Sequence, residues 1–493
     1  MAGGMEPTLS RRQCLQALGL GALSAGFAAA QRSRRPNVLM IAIDDLNDWI
    51  GALGGHPQSL TPNIDRLAQR GVLFRAAYCQ APSCNPSRAS LLTGIRPSTS
   101  GVYQNNDVWR DAMPLATTLP QHFQLHGYEV LGGGKIFHGP MNEAQSWDYY
   151  YNPPGFLHPG DEPVNGLDMG HFDWGPLQVD DDQTADTMLA HWASDYLGKK
   201  RNRPFFLACG FYRPHLPWYA PEKYFEKFPE AATLLPKYLA NDLDDVPASA
   251  PHNQRDHDNV TSSGQWKKAV ASYLACIHYA DTNVGRVLDA LDAGPHAQNT
   301  IIVLWTDHGW HLGEKNHWRK FTLWEESCRV PLIFAGPGSR DNRTCDRPVE
   351  LLDIYPTLID LAGLPTRPEL EGRTLRPLLE EPSAEWDKPA LTSNGPDKTS
   401  VRTERWRYTK YPDGEELYDH WQDPQEWDNL ASSPAYADVK AELAALLPRR
   451  TQTRKVLQYQ DLPAEKKRLT ELPPGRRHKP DPDSWTGLKP GPN

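Results

Sequence analysis

Four short and nearly continuous apolar runs recur along the chain, at Asn37–Ile43, 204–212, 301–306 and 330–335. Runs of this length without regular polar alternation are typical of strands that are buried on both faces of a parallel or mixed sheet. We therefore predict a central sheet that contains these four segments.

Two segments between these runs have apolar residues at helical spacing. In 61–71 a proline follows Thr61, as at many helix starts, and Ile64, Leu67 and Ala68 share one side. In 268–291 the apolar positions repeat with the same period: Val270, Tyr273, Leu274, Ile277, Val284, Val287 and Leu288. Strands that alternate with helices predict a layered α/β domain.

Two further stretches differ from these segments in composition and in the pattern of apolar positions. Segment 141–186 is rich in Gly, Pro, aromatic and acidic residues, and it predicts a long ordered loop over the functional site, with a passive surface insertion as the alternative. The character of the sequence changes from about 382 onward. This part contains a predicted antiparallel hairpin, which consists of residues 400–411, a turn at 412–414 and residues 415–419. We expect this hairpin to belong to a smaller C-terminal α+β subdomain.

The length and composition indicate a loop-rich globular enzyme with one large and one small domain. The chain has 493 residues, of which 39% are hydrophobic and 23% charged, with 45 prolines and 16 tryptophans. Its net charge of −9 argues against nucleic-acid binding. An anionic substrate must therefore be attracted by locally placed Lys and Arg.

Residues 1–30 predict a twin-arginine export signal. Arg11 and Arg12 precede a short apolar stretch rich in Gly and Ala, which ends in small residues suited to cleavage. The alternative is a membrane anchor, but the stretch is shorter than the roughly 20 residues of a spanning helix. We expect a bacterial periplasmic or secreted protein without stable membrane insertion.

The segment 459–493 is basic and rich in proline, so we expect an extended tail.

The cysteines do not form an obvious disulfide framework. Apart from Cys14 in the predicted signal and Cys84, the chain has five, at Cys79, Cys209, Cys276, Cys328 and Cys345. Cys209 and Cys276 lie in apolar segments and are expected in the core, while a bridge within the five remains open.

Cys84 lies in the sequence Cys-Asn-Pro-Ser-Arg at 84–88, followed by Leu-Leu-Thr-Gly-Ile-Arg-Pro after two residues. This run resembles the C-x-P-S-R signature of the formylglycine-dependent sulfatases. In that family a formylglycine-generating enzyme oxidises the cysteine to an aldehyde, whose hydrate attacks sulfur with one hydroxyl and expels sulfate with the other. A lone cysteine before a proline turn would instead be a structural thiol.

Four other segments resemble sulfatase blocks and occur in the family order: 37–46, 134–138, 212–217 and 306–314. The resemblance spans about 37–430 and is greatest to iduronate-2-sulfatase and its bacterial relatives. It implies an alkaline-phosphatase-like sandwich with a central mostly parallel mixed sheet, in which 31–381 form the catalytic domain and 382–458 the C-terminal subdomain. It also implies a sulfuric ester hydrolase that acts on a sulfated carbohydrate or a small sulfate ester.

Three carboxylates, Asp44, Asp45 and Asp307, follow predicted strands, at the edge where open α/β sheets bind ligands. Clustered carboxylates repel one another unless they are protonated or a cation neutralises them. The resemblance identifies these three as ligands of a divalent metal, which would remove the repulsion. The resemblance adds His308 and an oxygen of modified Cys84 as further ligands. A mostly oxygen ligand set favours Ca²⁺, with Mg²⁺ or Mn²⁺ as alternatives.

The resemblance also implies roles for five basic residues. Arg88 and Lys135 hold the nucleophile, and His138 lies near its second hydroxyl. His215 faces the departing alcohol, and Lys320 binds the sulfuryl group and the bridging oxygen. His311 and His317 lie in the Asp307 segment without a strong assigned role, and substrate contact is one option for them.

Two other functions remain as alternatives. A phosphonate or phosphate ester hydrolase on the same scaffold would need a similar oxyanion site. A non-catalytic protein that binds sulfated glycans would need a broken site, and the sequence shows no such break.

Overall fold

The computed structural model describes residues 35–153, 163–453 and 455–463. The predicted export signal at 1–30 and the tail beyond 463 lie outside the described residues. Within the described part, an eight-stranded sheet forms the centre of the molecule. Its strands are, in order across the sheet, Arg343–Cys345, Gly71–Phe74, Leu332–Ala335, Thr300–Thr306, Asn37–Ile43, Phe205–Phe211, Glu129–Gly134 and Tyr149–Tyr151.

The sheet is mixed and mostly parallel, as predicted. Leu332–Ala335 runs antiparallel to both of its neighbours, whereas the other pairings are parallel. All four predicted strands are present. Ile43 is in register with Phe211 on one side and with Thr306 on the other. The residues that follow these strands therefore emerge at the same level of one sheet edge.

Helices cover both faces of the sheet and complete a three-layer sandwich. Leu39, Ile41 and Ile43 belong to one hydrophobic cluster, and the alternate residues Val38, Met40 and Ala42 belong to the other. The first cluster includes residues of the helices Pro62–Gln69, Ala185–Leu197 and Trp266–Ala293. The second includes residues of Cys84–Thr93, Leu119–Leu125 and Ile354–Leu361. Both helices predicted from the periodicity are therefore confirmed.

The remaining elements are short. Further α-helices are Pro97–Ser100, Trp109–Ala112, Glu222–Phe225, Gln254–Ser262, Glu325–Cys328, Arg376–Glu380 and Ala437–Ala444. Two-stranded pairings join Ala77–Tyr78 with Val349–Glu350, Trp174–Leu177 with Trp218–Pro221, and His311–Leu312 with Trp318–Arg319.

The C-terminal part contains a four-stranded antiparallel sheet, Ala390–Ser393, Thr399–Arg402, Trp406–Tyr411 and Gly414–Asp419. The predicted hairpin is present at its end. The prediction of one strand over 400–411 was wrong, because the chain turns at 403–405 and the two halves pair with each other. The sequence there, Thr-Glu-Arg, contains neither Gly nor Pro to signal a turn.

The segment 141–186 contains more regular structure than we predicted. Tyr149–Tyr151 is an edge strand of the central sheet, and Trp174–Leu177 pairs with Trp218–Pro221. Such short strands leave no detectable period in the sequence. Residues 154–162 lie outside the described residues.

The six cysteines of the described part are free and buried, including the predicted core thiols Cys209 and Cys276. No helix in the described ranges combines the length and the apolar character that a membrane span requires.

Candidate active site

Strand ends supply most of the candidate residues. Asp44 and Asp45 follow Asn37–Ile43, Lys135 follows Glu129–Gly134, and Asp307 follows Thr300–Thr306. All four side chains are buried. The fold therefore brings together residues that are up to 263 positions apart in sequence, as the shared sheet edge predicted.

Asp45 has a left-handed backbone conformation, with φ of 59°. This conformation is uncommon outside glycine, although Asp adopts it more readily than most residues. The Tyr273 hydroxyl donates to the Asp45 carbonyl at 2.8 Å, and the Asp45 amide donates to Asp307 Oδ1 at 3.2 Å. These contacts hold a strained residue at the point where the carboxylates meet, as is common at functional sites.

Cys84 is the first residue of the helix Cys84–Thr93 and is 1% exposed. Asn105 Oδ1 fixes this helix start, since it accepts from Ser83 Oγ at 2.7 Å and from the Asn85 amide at 3.0 Å. The thiol thus lies at the positive end of the helix dipole, a position that favours an anionic nucleophile.

Four predicted residues surround the thiol. Cys84 Sγ lies 2.9 Å from Lys320 Nζ, 3.3 Å from His308 Nε2, 3.7 Å from Lys135 Nζ and 3.9 Å from Asp45 Oδ1. The motif cysteine is therefore the centre of the predicted constellation.

Arg88 lies one helical turn after Cys84 and is fully buried. Its Nε donates to Asp307 Oδ2 at 2.7 Å and its Nη2 to Asp44 Oδ1 at 3.0 Å. Its Nη1 donates to the carbonyls of Lys135 and Ile136. Arg88 thus holds the carboxylates and the lysine segment in place, which the motif alone did not reveal.

Three cations balance the three carboxylates. Besides Arg88, Lys135 Nζ donates to Asp44 Oδ2, and Lys320 Nζ donates to Asp45 Oδ1 at 2.7 Å. Burial lowers the lysine pKa values, but Asp44 near Lys135 and Asp45 near Lys320 outweigh it, so both pKa values are raised. Both lysines are therefore charged at neutral pH.

The carboxylates differ in their pKa values. Burial raises all three, but Lys135 and then His215 and Arg88 bring the pKa of Asp44 below its ordinary value. Arg88 and His308 do the same for Asp307. For Asp45 burial prevails over Lys320, and its pKa is raised. Asp45 Oδ2 is buried and has no hydrogen-bond partner within the described residues, so this carboxylate has the least compensation.

The donor set fits a cation. Ligand atoms of Asp45, Cys84, Asp307 and His308 lie within 4.8 Å of one another, and those of Asp44, Asp45 and His215 form an overlapping group. Burial lowers the pKa of His308, so its ring is neutral. Its Nδ1 lies 3.0 Å from the Gly309 carbonyl and acts as donor, which leaves the Nε2 lone pair facing Asp45 Oδ1 at 3.4 Å and Asp307 Oδ2 at 3.5 Å. A lone pair directed at two carboxylates suits a bound metal ion.

His215 and His138 flank this cluster. His215 Nε2 lies 3.7 Å from Asp45 Oδ2, and its Nδ1 lies 2.6 Å from the Leu216 carbonyl. Burial, followed by Lys135, lowers the pKa of His215 and brings that of His138 to about 3. The buried Nδ1 of His138 has no hydrogen-bond partner in the described part of the chain. Both rings are therefore neutral at neutral pH.

His311 and His317 do not line the cavity and are buried behind it. His317 Nδ1 accepts from the Asn253 amide at 2.8 Å, and its Nε2 donates to the Lys320 carbonyl at 3.0 Å. His311 Nε2 bonds Thr322 Oγ1 at 2.7 Å. These histidines position the Lys320 loop, and their burial gives no support to the option of substrate contact.

An open cavity of about 370 Å³ leads to the cluster. His215 and Lys320 belong both to the cluster around Cys84 and to the cavity lining. The cavity is also lined by His171, Tyr212, Trp310, Arg319 and Phe321. Sequence reasoning missed these five residues as site residues, although Trp310 and Tyr212 lie inside the recognised motifs. The presence of His171 supports the prediction that segment 141–186 reaches the site.

The three-layer fold, with a buried cluster of cations and carboxylates around the thiol of Cys84, is that of an alkaline-phosphatase-like hydrolase. The sulfatase family profile matches residues 36–364, and the C-terminal profile of N-sulphoglucosamine sulphohydrolase matches 313–453. The chain therefore belongs to the sulfatase family and is a sulfuric ester hydrolase. The family implies a formylglycine and a divalent metal, which the residues around Cys84 fit.

Individual relatives agree with this assignment. A sulfatase of Formosa agariphila is 38% identical over 457 residues, which cover 85% of this chain and 87% of that protein. The iduronate 2-sulfatase of Mus musculus is 33% identical over 386 residues, which cover 67% of this chain and 69% of that protein. The solved structure of a 2-O GAG sulfatase has a TM-score of 0.66 at 28% identity and covers 84% of this chain and 91% of that one.

Proposed function

We propose that the protein hydrolyses a sulfate monoester on a sulfated carbohydrate, with residue 84 as formylglycine and one Ca²⁺ ion as cofactor. The observation that carries this proposal is the arrangement of Lys320, His308, Lys135 and Asp45 within 3.9 Å of Cys84 Sγ. Relatives that are named for uronate and GAG substrates support a sugar rather than a simple alcohol.

The charges of the site support this chemistry. Asp44, Asp45 and Asp307 balance the cations Arg88, Lys135 and Lys320, and the neighbouring histidines are neutral. A divalent ion would add two positive charges. These match a monoanionic sulfate ester together with one ionised nucleophile, so the complete site with neutral histidines would be close to neutral, and the proton that His215 gains as general acid would add one positive charge.

Asp44, Asp45, Asp307, His308 and residue 84 would hold the metal, which when bound supplies charge for the sulfuryl oxygens and the nucleophile. Four of these five positions offer oxygen in the modified protein, and oxygen ligands favour Ca²⁺. Arg88 would keep two of the carboxylates in place through its bonds to Asp44 and Asp307.

Formylglycine at position 84 would supply two hydroxyls as its hydrate. One would attack sulfur while the bond from sulfur to the alcohol oxygen breaks, and deprotonation of the other would expel sulfate as the aldehyde forms again. Lys135 would stabilise negative charge on the nucleophile, since its Nζ lies 3.7 Å from Cys84 Sγ. Lys320 would bind a sulfuryl oxygen. His138 has a neutral ring, and its Nδ1 bonds no group in the described part of the chain, so it would accept the proton of the second hydroxyl.

His215 would assist the leaving alcohol from the cavity side. The Leu216 carbonyl fixes Nδ1 as a donor, so Nε2 of the neutral ring carries no proton. The ring must therefore gain a second proton before it can act as general acid. Asp45 Oδ2, which lies 3.7 Å from Nε2, would favour this protonated form.

The burial of Cys84 bears on maturation. Because the thiol is 1% exposed, we propose that a formylglycine-generating enzyme acts on this segment before the chain folds. Export of the folded protein by the twin-arginine route would then deliver active enzyme to the periplasm or exterior. The proposed domains are 31–381 for catalysis and 382–458 for the C-terminal subdomain.

A substrate comparison tests the proposed function. We expect the Ca²⁺-loaded, modified enzyme to hydrolyse a sulfated oligosaccharide with a higher kcat/KM than the phosphonate or phosphate ester of the same alcohol. A phosphonate monoester is also a monoanion, so net charge alone does not separate the two classes. Preference for the phosphorus ester, or turnover of aryl sulfates with no sulfated sugar accepted, would refute the proposal.

Two cavity residues should respond differently to the leaving group. An activated aryl oxygen needs little protonation, so His215→Ala should cost far less on an aryl sulfate than on a sugar sulfate, with a difference of about 10²-fold. Lys320→Ala should impair both substrates, because charge on the sulfuryl group develops in each reaction. The measurement is kcat/KM for both variants on both substrates. An equal loss for His215→Ala would leave this residue as a sulfate ligand without an acid role.

A further inference from the structure

Arg319 is a cavity residue that the proposed reaction does not use. It immediately precedes Lys320, and both side chains line the cavity. The strand Trp318–Arg319 ends at this residue, so Lys320 is not bound by the side-chain alternation of an extended strand. At the strand end the backbone of Arg319 is left-handed, with φ of 79°. A bulky residue in this conformation is strained, and such strain persists mainly at functional sites.

Neighbouring residues hold the Arg319 side chain in a defined position. Its Nε donates to Asp256 Oδ2 at 2.6 Å, and Asn253 Nδ2 donates to the same oxygen at 2.7 Å. The guanidinium carbon lies 4.7 Å from the centre of the Phe172 ring. Asp256 and Phe172 are fully buried, whereas the Arg319 side chain is 27% exposed. The guanidinium is thus fixed at one edge and reaches the cavity with the other.

The charge on Arg319 is only partly compensated. Asp256 also accepts from Arg255 Nη2 at 3.1 Å, so two guanidinium groups share one carboxylate. Within the described residues, Nη1 and Nη2 of Arg319 have no hydrogen-bond acceptor. A preorganised guanidinium with two free nitrogens is suited to bidentate binding of an oxyanion.

We propose that Arg319 is a specificity-determining residue that binds a second anionic group of the substrate, beside the sulfate that Lys320 binds. The group is a carboxylate or a further sulfate on the same sugar or its neighbour. This proposal rests on the proposed function and narrows it: the preferred substrate is a sulfated sugar with at least one other negative charge.

The test compares three sugar sulfates: one without other charges, one with a carboxylate, and one with a second sulfate. We expect Arg319→Gln, which keeps most of the side-chain volume, to lower kcat/KM for the charged sugars relative to the uncharged one by about 10- to 100-fold. Arg319→Lys should restore part of this preference, because it keeps the charge but not the bidentate geometry. The charged sugar with the larger loss identifies the group that is bound.

Arg255→Gln is the matched control. Arg255 pairs with the same Asp256, but its side chain is 76% exposed and it does not line the cavity. Its substitution should leave the ratio of charged to uncharged substrates unchanged. An equal loss on all three sugars in Arg319→Gln would overturn the proposal and leave Arg319 as a support for the Lys320 loop. If the wild-type enzyme accepts no sulfated sugar but cleaves aryl sulfates, the proposed function itself fails, and this narrower proposal fails with it.

Discussion

Replacing Cys84 with alanine should lower kcat/KM by about 10⁴-fold or more, because no other side chain in the cluster can serve as nucleophile. Lys135 and Lys320 keep their carboxylate partners Asp44 and Asp45 in the variant, so the sulfate site should remain charged. We therefore expect Cys84→Ala to bind a sulfated substrate without turning it over. Equilibrium binding and single-turnover measurements separate these two properties.

Mass spectrometry of the peptide around residue 84 tests the chemical identity of the nucleophile. Active wild-type enzyme should contain formylglycine there, because a thiol that had attacked sulfur would lack the elimination route that the second hydroxyl provides. Cys209→Ala is the matched control for Cys84→Ala. The thiol of Cys209 is equally buried, but it lies inside the strand Phe205–Phe211 and away from the candidate site. Full activity with only unmodified cysteine at position 84 would show that the proposed mechanism is wrong.

The sequence was sufficient to predict the strands that carry the carboxylates. Asn37–Ile43 and Thr300–Thr306 are continuous apolar runs, and each is followed directly by acidic residues. Because parallel strands end at a common edge, the meeting of Asp44, Asp45 and Asp307 could be predicted without knowledge of the pairing. The register, in which Ile43 lies beside Thr306, then places them at the same level.

Contacts made by loops could not be predicted in the same way. The family resemblance placed Lys320 near Cys84. Nothing in the local sequence indicated that His317 would be buried behind the Lys320 loop. The left-handed residues Arg319 and Phe321 are also invisible in a pattern of polar and apolar positions, because neither is a typical residue for that conformation. Tertiary packing fixes these positions, and only the structure shows which side chains reach the cavity.

Tertiary packing also explains why the observed contacts of Arg88 differ from the predicted ones. The motif associates this residue with the nucleophile, yet its donors are used mainly by Asp44, Asp307 and two backbone carbonyls. A buried guanidinium must satisfy most of its hydrogen bonds, and only the folded chain determines which acceptors are available. The arginine of the motif therefore supports the proposed metal site through the carboxylates.

Replacing Asp307 with asparagine should abolish stoichiometric metal binding and lower kcat/KM by about 10³-fold or more, because it removes one charged ligand and disturbs the remaining ones. Asp307 Oδ2 accepts from Arg88 Nε, and Oδ1 accepts from the Asp45 amide. Loss of the carboxylate also leaves the buried Arg88 less compensated, so the variant should be destabilised by about 3–5 kcal/mol. Elemental analysis and thermal unfolding measure the two effects.

Calcium-dependent stabilisation distinguishes the metal site from a general loss of structure. A ligand that binds only the folded state at 100 times its Kd raises the free energy of unfolding by about 2.7 kcal/mol. Wild-type protein should show such a shift with Ca²⁺, whereas Asp307→Asn should show none. Asp281→Asn is the matched control, because this carboxylate is also buried but bonds the backbone amides of Asn63 and Ile64. It should lose stability yet keep the shift with Ca²⁺. One equivalent of metal retained in Asp307→Asn, or full wild-type activity after rigorous chelation, would contradict the assignment of this cluster as the metal site.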